Sequence, residues 1–217
     1  MKVVVIASTN GGILSALLKN AYAKPRIAEV VSDRQCGAID VARSSGVRTE
    51  VYPTLDGGEF SEFLLRRYSG DRIDLFLSFY TRLFGGQFLN VAENKLVNVH
   101  PSILPACPGP RGFEDTIESK SRFIGATVHF VDAGVDTGAP IIQAAVPFDP
   151  GRSLAENRHK VFVVQYKMAL QVIKWFDEGR VVADRQRDVQ VRGATYLDGV
   201  FSPNLDAEFA SIEQPIP

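Results

Sequence analysis

The feature that most constrains the fold is a run of consecutive apolar residues followed by a glycine turn. Val3 to Ala7 form an uninterrupted apolar segment, which is typical of a strand covered on both faces. The turn Ser8 to Gly12 follows, and the apolar residues from Ile13 to Leu18 then recur at helical spacing. This order of strand, glycine turn and helix predicts the first βα unit of a parallel sheet.

The same alternation continues through the next eighty or so residues. The predicted strands are 27–31, 47–52, 73–79 and 95–100, and the predicted helices are 38–45, 60–68 and 84–92. Strands that alternate with helices imply a parallel sheet with helices on both faces. The predicted fold class is therefore α/β, a Rossmann-like, mostly parallel sheet flanked by helices.

The pattern changes after Pro101, where a long loop rich in proline and glycine begins. Beyond it the sequence predicts two antiparallel strands at 122–131 and 139–148, a long helix at 153–177 and a terminal hairpin at 180–199. Ser153 and Glu156 form a capping box at the start of that helix.

No linker divides the sequence into two domains. We expect a single domain over residues 1–203, followed by a loosely ordered tail at 204–217. Within the domain we expect a first half (1–100), a second half (101–180) and the terminal hairpin (181–199).

Composition excludes several classes of function. The net charge of −1 across 217 residues gives no broad electrostatic attraction to nucleic acid or to an anionic membrane. Cys36 and Cys107 fit no metal or disulfide spacing, which favours reduced thiols in a cytoplasmic protein. The first apolar run is too short for a signal peptide or a membrane span. We therefore expect no nucleic-acid, membrane or metal partner, and the oligomeric state stays open.

The most informative polar residues are Asn98 and His100, at the end of a predicted strand. Residues two apart in a strand face the same side, and Pro101 ends the strand directly after them. Ligands of open parallel sheets bind at this carboxyl edge. An amide that holds a carbonyl oxygen and a ring that accepts a proton suit acyl transfer. The alternative is a strand-end pair satisfied by loop backbone.

The loop from Asp132 to Gly138 supplies carboxylates between the two antiparallel strands. Its sequence is too rich in glycine for a helix, and it lacks the acidic positions of a calcium loop. Either Asp132 and Asp136 serve the chemistry of a site, or the loop is an Asx-type turn. The turn Ser8 to Gly12 has a similar ambiguity. Its backbone N–H groups suit a phosphate, but it matches neither dinucleotide-binding nor Walker patterns.

Together these segments resemble the folate-dependent formyltransferase family over residues 1–203. The most specific are Asn-x-His-Pro-Ser-x-Leu-Pro at 98–105 and Asp-x-Gly-x-Asp-Thr-Gly at 132–138. Weaker similarity covers 3–11, 80–83, 125–131, 172–176 and 197–199. The most similar branch formylates glycinamide ribonucleotide in purine synthesis.

The resemblance implies an enzyme that uses 10-formyltetrahydrofolate as co-substrate and needs no metal. It also implies that residues 1–100 are a nucleotide-binding-like half and that residues 101–180 are a folate and catalytic half. Asn98 would donate to the formyl oxygen as it becomes an oxyanion, while His100 hydrogen-bonds the reacting centre. Asp136 would hold the ring in a useful protonation state and help to remove the proton of the attacking amine. The implied folate-binding residues are Tyr80, Arg82, Leu83, Phe84, Val131, Asp132 and Val135. The implied acceptor-binding residues are Asn10, Gly11, Gly12, Ile13, Phe162 and Gln165.

The sequence departs from the family on the acceptor side. Gly12 and Ile13 stand where the family has a Ser and an Asn that help to hold the substrate phosphate. Gln165 replaces a Glu that grips ribose hydroxyls, and it lacks charge assistance. Phe162 replaces a polar residue one turn earlier, and Phe79 replaces a glycine. These departures predict a changed amine substrate.

Several functions remain open at this stage. Glycinamide ribonucleotide is the best single acceptor, against another small amine such as an amino sugar nucleotide or a hydroxylamine-type amino acid. Hydrolysis of 10-formyltetrahydrofolate is a second enzyme class, disfavoured because those relatives carry a further N-terminal domain. A binding protein with a decayed site is disfavoured because Asn98, His100 and Asp136 are all retained. Transfer to initiator tRNA is disfavoured because that branch carries a C-terminal barrel.

Overall fold

The structure, a computed structural model, describes residues 1–183, 189–197 and 199–212. The chain divides into two compact units. The first comprises Met1–Asn98 with Phe130–Gly134, and the second comprises Val99–His129 with Val135–Pro217.

The first unit alternates strands and helices. Its elements are β1 (Val3–Ala7), α1 (Gly12–Lys19), β2 (Ile27–Ser32), α2 (Gly37–Ser44), β3 (Arg48–Val51), α3 (Gly57–Tyr68), β4 (Leu75–Phe79), α4 (Gly86–Val91) and the start of β5 (Leu96–His100), with a single 3₁₀ turn at Lys24–Arg26. All strand pairs are parallel, in the order β5-β4-β1-β2-β3. The predicted parallel sheet with flanking helices is confirmed, with boundaries moved by one to three residues.

The direction of strand addition reverses beside β1. From β1 the chain adds β2 and β3 on one side, and then β4 and β5 on the other. Ser8 follows β1 and Tyr80 follows β4, so these two ends flank the point of reversal. Such a switch point opens a crevice at the carboxyl ends of the strands, which is where ligands of α/β sheets bind.

The core of the first unit is aromatic on one face of its sheet. Phe60 and Leu64 of α3 pack with Phe76 of β4 and with Phe88 of α4, and all four are 4% exposed or less. The rings of Phe76 and Phe88 form a T-shaped, edge-to-face pair, with centroids 5.3 Å apart. Helix α3 begins at a side-chain cap, because Asp56 accepts hydrogen bonds from the N–H groups of the first turn.

The second unit is antiparallel. Its elements are α5 (Gly112–Glu118), β6 (Phe123–Phe130), β7 (Pro140–Pro147), α6 (Leu154–Asp177), β8 (Val181–Ala183), β9 (Val189–Val191), β10 (Phe201–Ser202) and α7 (Ala207–Ala210). Strand β7 pairs with β6 and β10, and β8 pairs with β9. The predicted hairpin and capping box are confirmed, whereas α5 was not predicted. Part of the hairpin (184–188 and 198) and part of the tail (213–217) lie outside the described residues.

Helix α6 packs on β7 and runs for 24 residues. Over the described ranges, no helix combines the length and the hydropathy needed to cross a bilayer.

We expect Leu64→Ala to lower the free energy of unfolding by about 3 kcal/mol, because the truncated side chain leaves a cavity in the core. Leu64 is 0% exposed, whereas Leu55, in the turn before α3, is 86% exposed. The matched Leu55→Ala variant should therefore change the stability by less than about 0.5 kcal/mol. Urea unfolding followed by circular dichroism measures both, and equal losses would contradict this packing.

Candidate active site

The histidine of the sequence motif lies at the end of β5 with its ring buried. His100 is 4% exposed, and its Nε2 lies 2.9 Å from the carbonyl oxygen of Cys107. A carbonyl oxygen only accepts hydrogen bonds, so we assign the proton to Nε2 in this arrangement. The other ring nitrogen, Nδ1, is left to face the loop after β6.

Asp136 lies between two histidine rings. Its Oδ2 is 3.3 Å from Nδ1 of His100, and its Oδ1 is 3.4 Å from Nε2 of His129. The backbone N–H of Gly109 donates to the same Oδ2 at 2.7 Å. The carboxylate therefore bridges two rings and also fixes the loop that follows His100.

The environment shifts the pKa of both catalytic candidates downward. Burial lowers the pKa of His100, although the Cys107 carbonyl and the Asp136 carboxylate both favour the charged ring. Burial alone would raise the pKa of Asp136, but hydrogen bonds from His129 and Gly109 outweigh it and hold that pKa below its usual range. At neutral pH the His100 ring is therefore neutral and the Asp136 carboxylate is ionised. Each ring nitrogen lies beside a hydrogen-bond acceptor.

A buried network holds the loop after β5. The Thr127 hydroxyl donates to the Ser102 carbonyl at 2.8 Å and accepts from the Leu104 N–H at 3.0 Å. Gln143 of β7 donates to the Leu104 carbonyl at 2.6 Å. The loop is therefore attached to β6 and β7, so the Cys107 carbonyl is held where the His100 ring can reach it.

Helix α5 begins directly against the histidine ring. A Cβ added at Gly112 would lie 2.6 Å from Nε2 of His100 and 3.2 Å from the Cys107 oxygen. That separation from the ring is shorter than real Cβ atoms show, so glycine is required here by space.

Asn98 belongs to the first unit and lies on β5 opposite Ser78 of β4. It is the half-buried residue of a strand in which Leu96, Val97, Val99 and His100 are all buried. Because it precedes His100 by two positions on one strand, strand geometry gives both side chains the same face.

The predicted folate-binding residues of the first unit divide into core and surface. Tyr80 and Phe84 are each 7% exposed and pack together, with ring centroids 4.9 Å apart. Arg82 forms an ion pair with the buried carboxylate of Asp33 and donates to the Thr54 carbonyl at 3.2 Å. Leu83, by contrast, is 54% exposed. The side chains of Tyr80, Phe84 and Arg82 make contacts within the unit. Their backbone groups and the side chain of Leu83 remain available to a ligand.

The remaining predicted folate residues lie in the loop after β6. Val131 packs against the aromatic core, and its N–H donates to the Leu96 carbonyl at 3.0 Å. Asp132 accepts from the Gly134 N–H at 3.0 Å, so the Asx-type turn considered from the sequence is present. Val135, in the second unit, is 47% exposed.

The predicted acceptor turn is a tight connection between β1 and α1. Gly11 has a φ of 79°, and a Cβ there would lie 2.7 Å from the Cα of Ala38. Asn10 is exposed, Gly12 begins α1, and Ile13 is half-buried. Of these four predicted acceptor residues only Asn10 has a polar side chain, and the first N–H groups of α1 follow it.

The other two acceptor candidates lie on α6 in the second unit. The Gln165 amide donates to the Val99 carbonyl at 3.4 Å, which places it beside the end of β5. Phe162, one turn earlier, stacks on His159 with centroids 5.8 Å apart.

Three parts of this site were not predicted from the sequence. His129 lies outside the two specific motifs, although its spacing from Thr127 on one strand was a usable signal. Gly112 could have been suspected only from a glycine at a helix start. The Cys107 carbonyl carried no signal, because a backbone acceptor leaves no trace in residue type. Within the described ranges, no group of three or more His, Cys, Asp or Glu side chains is arranged to hold a metal ion.

We expect Asp136→Asn to lower the pKa of His100 further, because the carboxylate favours the charged ring. The measurement is a pH titration of the ring signals of ¹³C-labelled histidine, with His100 assigned from a His100→Gln sample. His159, on α6 and outside the cluster, supplies an internal reference signal. An unchanged or raised pKa of His100 would contradict the ion pair.

We expect Gly112→Ala to lower the free energy of unfolding by about 1 to 3 kcal/mol, because the added methyl group overpacks the His100 ring. Gly70 has no atom within 4 Å of an added Cβ, so Gly70→Ala is the matched control, expected within about 0.5 kcal/mol of the parent. Urea unfolding compares them, and equal stabilities would show that the ring does not need this space.

Comparison with known proteins agrees with this geometry. The formyl transferase family model matches residues 1–173. Phosphoribosylglycinamide formyltransferase of Escherichia coli (strain K12) is 30% identical over 92% of this chain and 94% of its own length. The enzyme of the same name from Mycobacterium tuberculosis (strain H37Rv) is 31% identical over 79% of this chain and 83% of its own.

A solved structure gives the same relationship. Glycinamide ribonucleotide transformylase 1 from Symbiobacterium toebii superposes with a TM-score of 0.78 at 33% identity, over 88% of this chain and 93% of that one. A formyltetrahydrofolate deformylase from Pseudomonas syringae shares the fold at a TM-score of 0.75 and 21% identity. The chain belongs to the formyl transferase family of enzymes.

Proposed function

We propose that this enzyme transfers the formyl group of 10-formyltetrahydrofolate to the amine of glycinamide ribonucleotide. The observation that carries the proposal is the half-buried Asp136 carboxylate on the ring of His100, with Asn98 two positions earlier on the same strand. These are the group types that acyl transfer to an amine requires. The names of the relatives at 30% identity or more support formyl transfer to this acceptor.

In the proposed reaction the acceptor nitrogen attacks the formyl carbon directly. A new C–N bond forms while the carbonyl electrons move to oxygen, and the Asn98 amide donates a hydrogen bond to that oxyanion. The amine proton leaves toward the pair formed by His100 and Asp136. The tetrahedral intermediate then collapses, the bond to N10 of the folate breaks, and that nitrogen takes up a proton as tetrahydrofolate leaves.

The proposed role of His100 follows from its two acceptors. A neutral ring satisfies only one of the Cys107 carbonyl and the Asp136 carboxylate, whereas a protonated ring satisfies both. These two acceptors therefore favour the charge that the ring gains when it accepts a proton, and they offset part of the cost of burying it. For His100 to contact the formyl group directly, its Nε2 gives up the hydrogen bond to the Cys107 carbonyl and forms one with the substrate.

Folate binding is proposed for the segment after β4 and for the loop after β6. Because Tyr80, Arg82 and Phe84 have their side chains engaged, their proposed contacts are through the backbone. The exposed side chains of Leu83 and Val135 are the proposed apolar contacts.

We expect Asn98→Ala, His100→Ala and Asp136→Asn each to lower kcat by about a hundredfold or more, because each removes a positioned group of the reacting centre. The assay follows tetrahydrofolate release and identifies the formylated amine by mass spectrometry. Asn90→Ala, on the exposed surface of α4, and His159→Ala are the matched controls and should retain the parent rate.

The same assay separates the competing functions. Formate release without any amine would support hydrolysis, and product with a different amine alone would replace glycinamide ribonucleotide as the acceptor. Full activity in any of the three site variants would overturn its assigned role.

A further inference from the structure

A fully buried carboxylate organises the carboxyl edge of the first unit. Asp33 follows β2, and its side chain is 0% exposed. Arg34 donates to it from Nε at 2.8 Å and from Nη2 at 3.2 Å, and Arg82 pairs with the same carboxylate. Two guanidinium groups on one carboxylate leave a local charge of about +1, since both arginines stay protonated. The Asp33 carboxylate raises the pKa of Arg34 still further.

Arg82 and Arg34 differ in how far their N–H donors remain available to a ligand. Arg82 is 26% exposed and also donates to the Thr54 carbonyl at 3.2 Å, so its fork is used within the unit. The Arg34 side chain is 40% exposed. Its Nη1 donates to no residue in the part of the chain that the structure describes. The surplus charge is therefore presented to solvent by Arg34.

Arg34 meets two hydroxyl groups at the switch point of the sheet. Its Nη2 lies 3.4 Å from Oγ1 of Thr81, and that oxygen lies 3.0 Å from Oγ of Ser8. The Thr81 N–H also donates to the Ser8 hydroxyl at 3.2 Å. Ser8 directly follows β1 and Thr81 lies two residues after β4, so the three groups converge at the crevice where the strand order reverses.

The environment of this cluster also contains an unsatisfied donor. Tyr80 is 7% exposed, and its hydroxyl has no hydrogen-bond partner among the residues that the structure describes. Burial raises the pKa of Tyr80 to about 12, and the Asp33 carboxylate adds to that rise. The hydroxyl therefore stays protonated and uncharged at neutral pH.

We propose that Arg34, held by Asp33, binds the anionic group of the amine acceptor, a phosphate monoester, together with the Ser8 and Thr81 hydroxyls. The proposal rests on the proposed formyl transfer and deepens it by naming a residue that selects the acceptor. A guanidinium offers planar paired donors that match phosphate oxygens, and hydroxyl groups supply further donors. Gly12 and Ile13 bring no polar side chain to the neighbouring turn, so in this proposal Arg34 supplies the side chain that binds the phosphate charge.

The kinetic test compares glycinamide ribonucleotide with its dephosphorylated riboside in the parent enzyme, Arg34→Gln and Arg34→Lys. We expect the ratio of kcat/KM for the phosphorylated over the dephosphorylated acceptor to fall about tenfold or more in Arg34→Gln. Arg34→Lys should recover part of that ratio, because it keeps the charge without the fork. Arg66→Gln, at an exposed position of α3, is the matched control and should leave the ratio unchanged.

A binding test without turnover separates this proposal from the proposed function. Inorganic phosphate should raise the thermal midpoint of the parent protein, and Arg34→Gln should lose that shift, with sodium chloride at equal ionic strength as the reference. An unchanged kinetic ratio in Arg34→Gln, or an undiminished phosphate shift, overturns the role of Arg34. Absence of formyl transfer in the parent, with the phosphate shift lost in Arg34→Gln, overturns the function and retains the anion site.

Discussion

The half-buried carboxylate of Asp136 is the group on which the polar structure of the second unit depends. Removing a carboxylate from water costs several kcal/mol unless charged or hydrogen-bonding partners replace the solvent. Here His100, His129 and the Gly109 N–H replace it. The same contacts fix the ring at the end of β5, the loop after it and the strand β6, so structure and proposed chemistry share one interaction.

The first unit meets the same physical problem with different partners. Asp33 is buried more deeply, and two arginines surround it. Imidazole rings titrate near neutral pH and can exchange protons with a substrate. Guanidinium groups stay charged and can only bind. The choice of partner thus separates a site suited to proton transfer from one suited to holding an anion.

Apolar periodicity predicted the architecture well because it reports directly on burial. The run Val3–Ala7 became a fully buried central strand, and the alternation beyond it became parallel βα units. Helix α5 was missed because seven residues within a loop rich in proline and glycine leave little periodic signal. The family motifs singled out Asn98, His100 and Asp136, whose catalytic roles remain proposals.

The sequence by itself determined the fold class, the family and the residue types of the reacting centre, because apolar spacing and short motifs are local properties. Only the tertiary structure decided which partners those residues have. Distant positions such as Cys107, Gly112 and His129 meet His100 or Asp136 through folding, and Arg82 turns out to face Asp33. Burial of charge depends on contacts between residues far apart in the chain, and no local pattern encodes it.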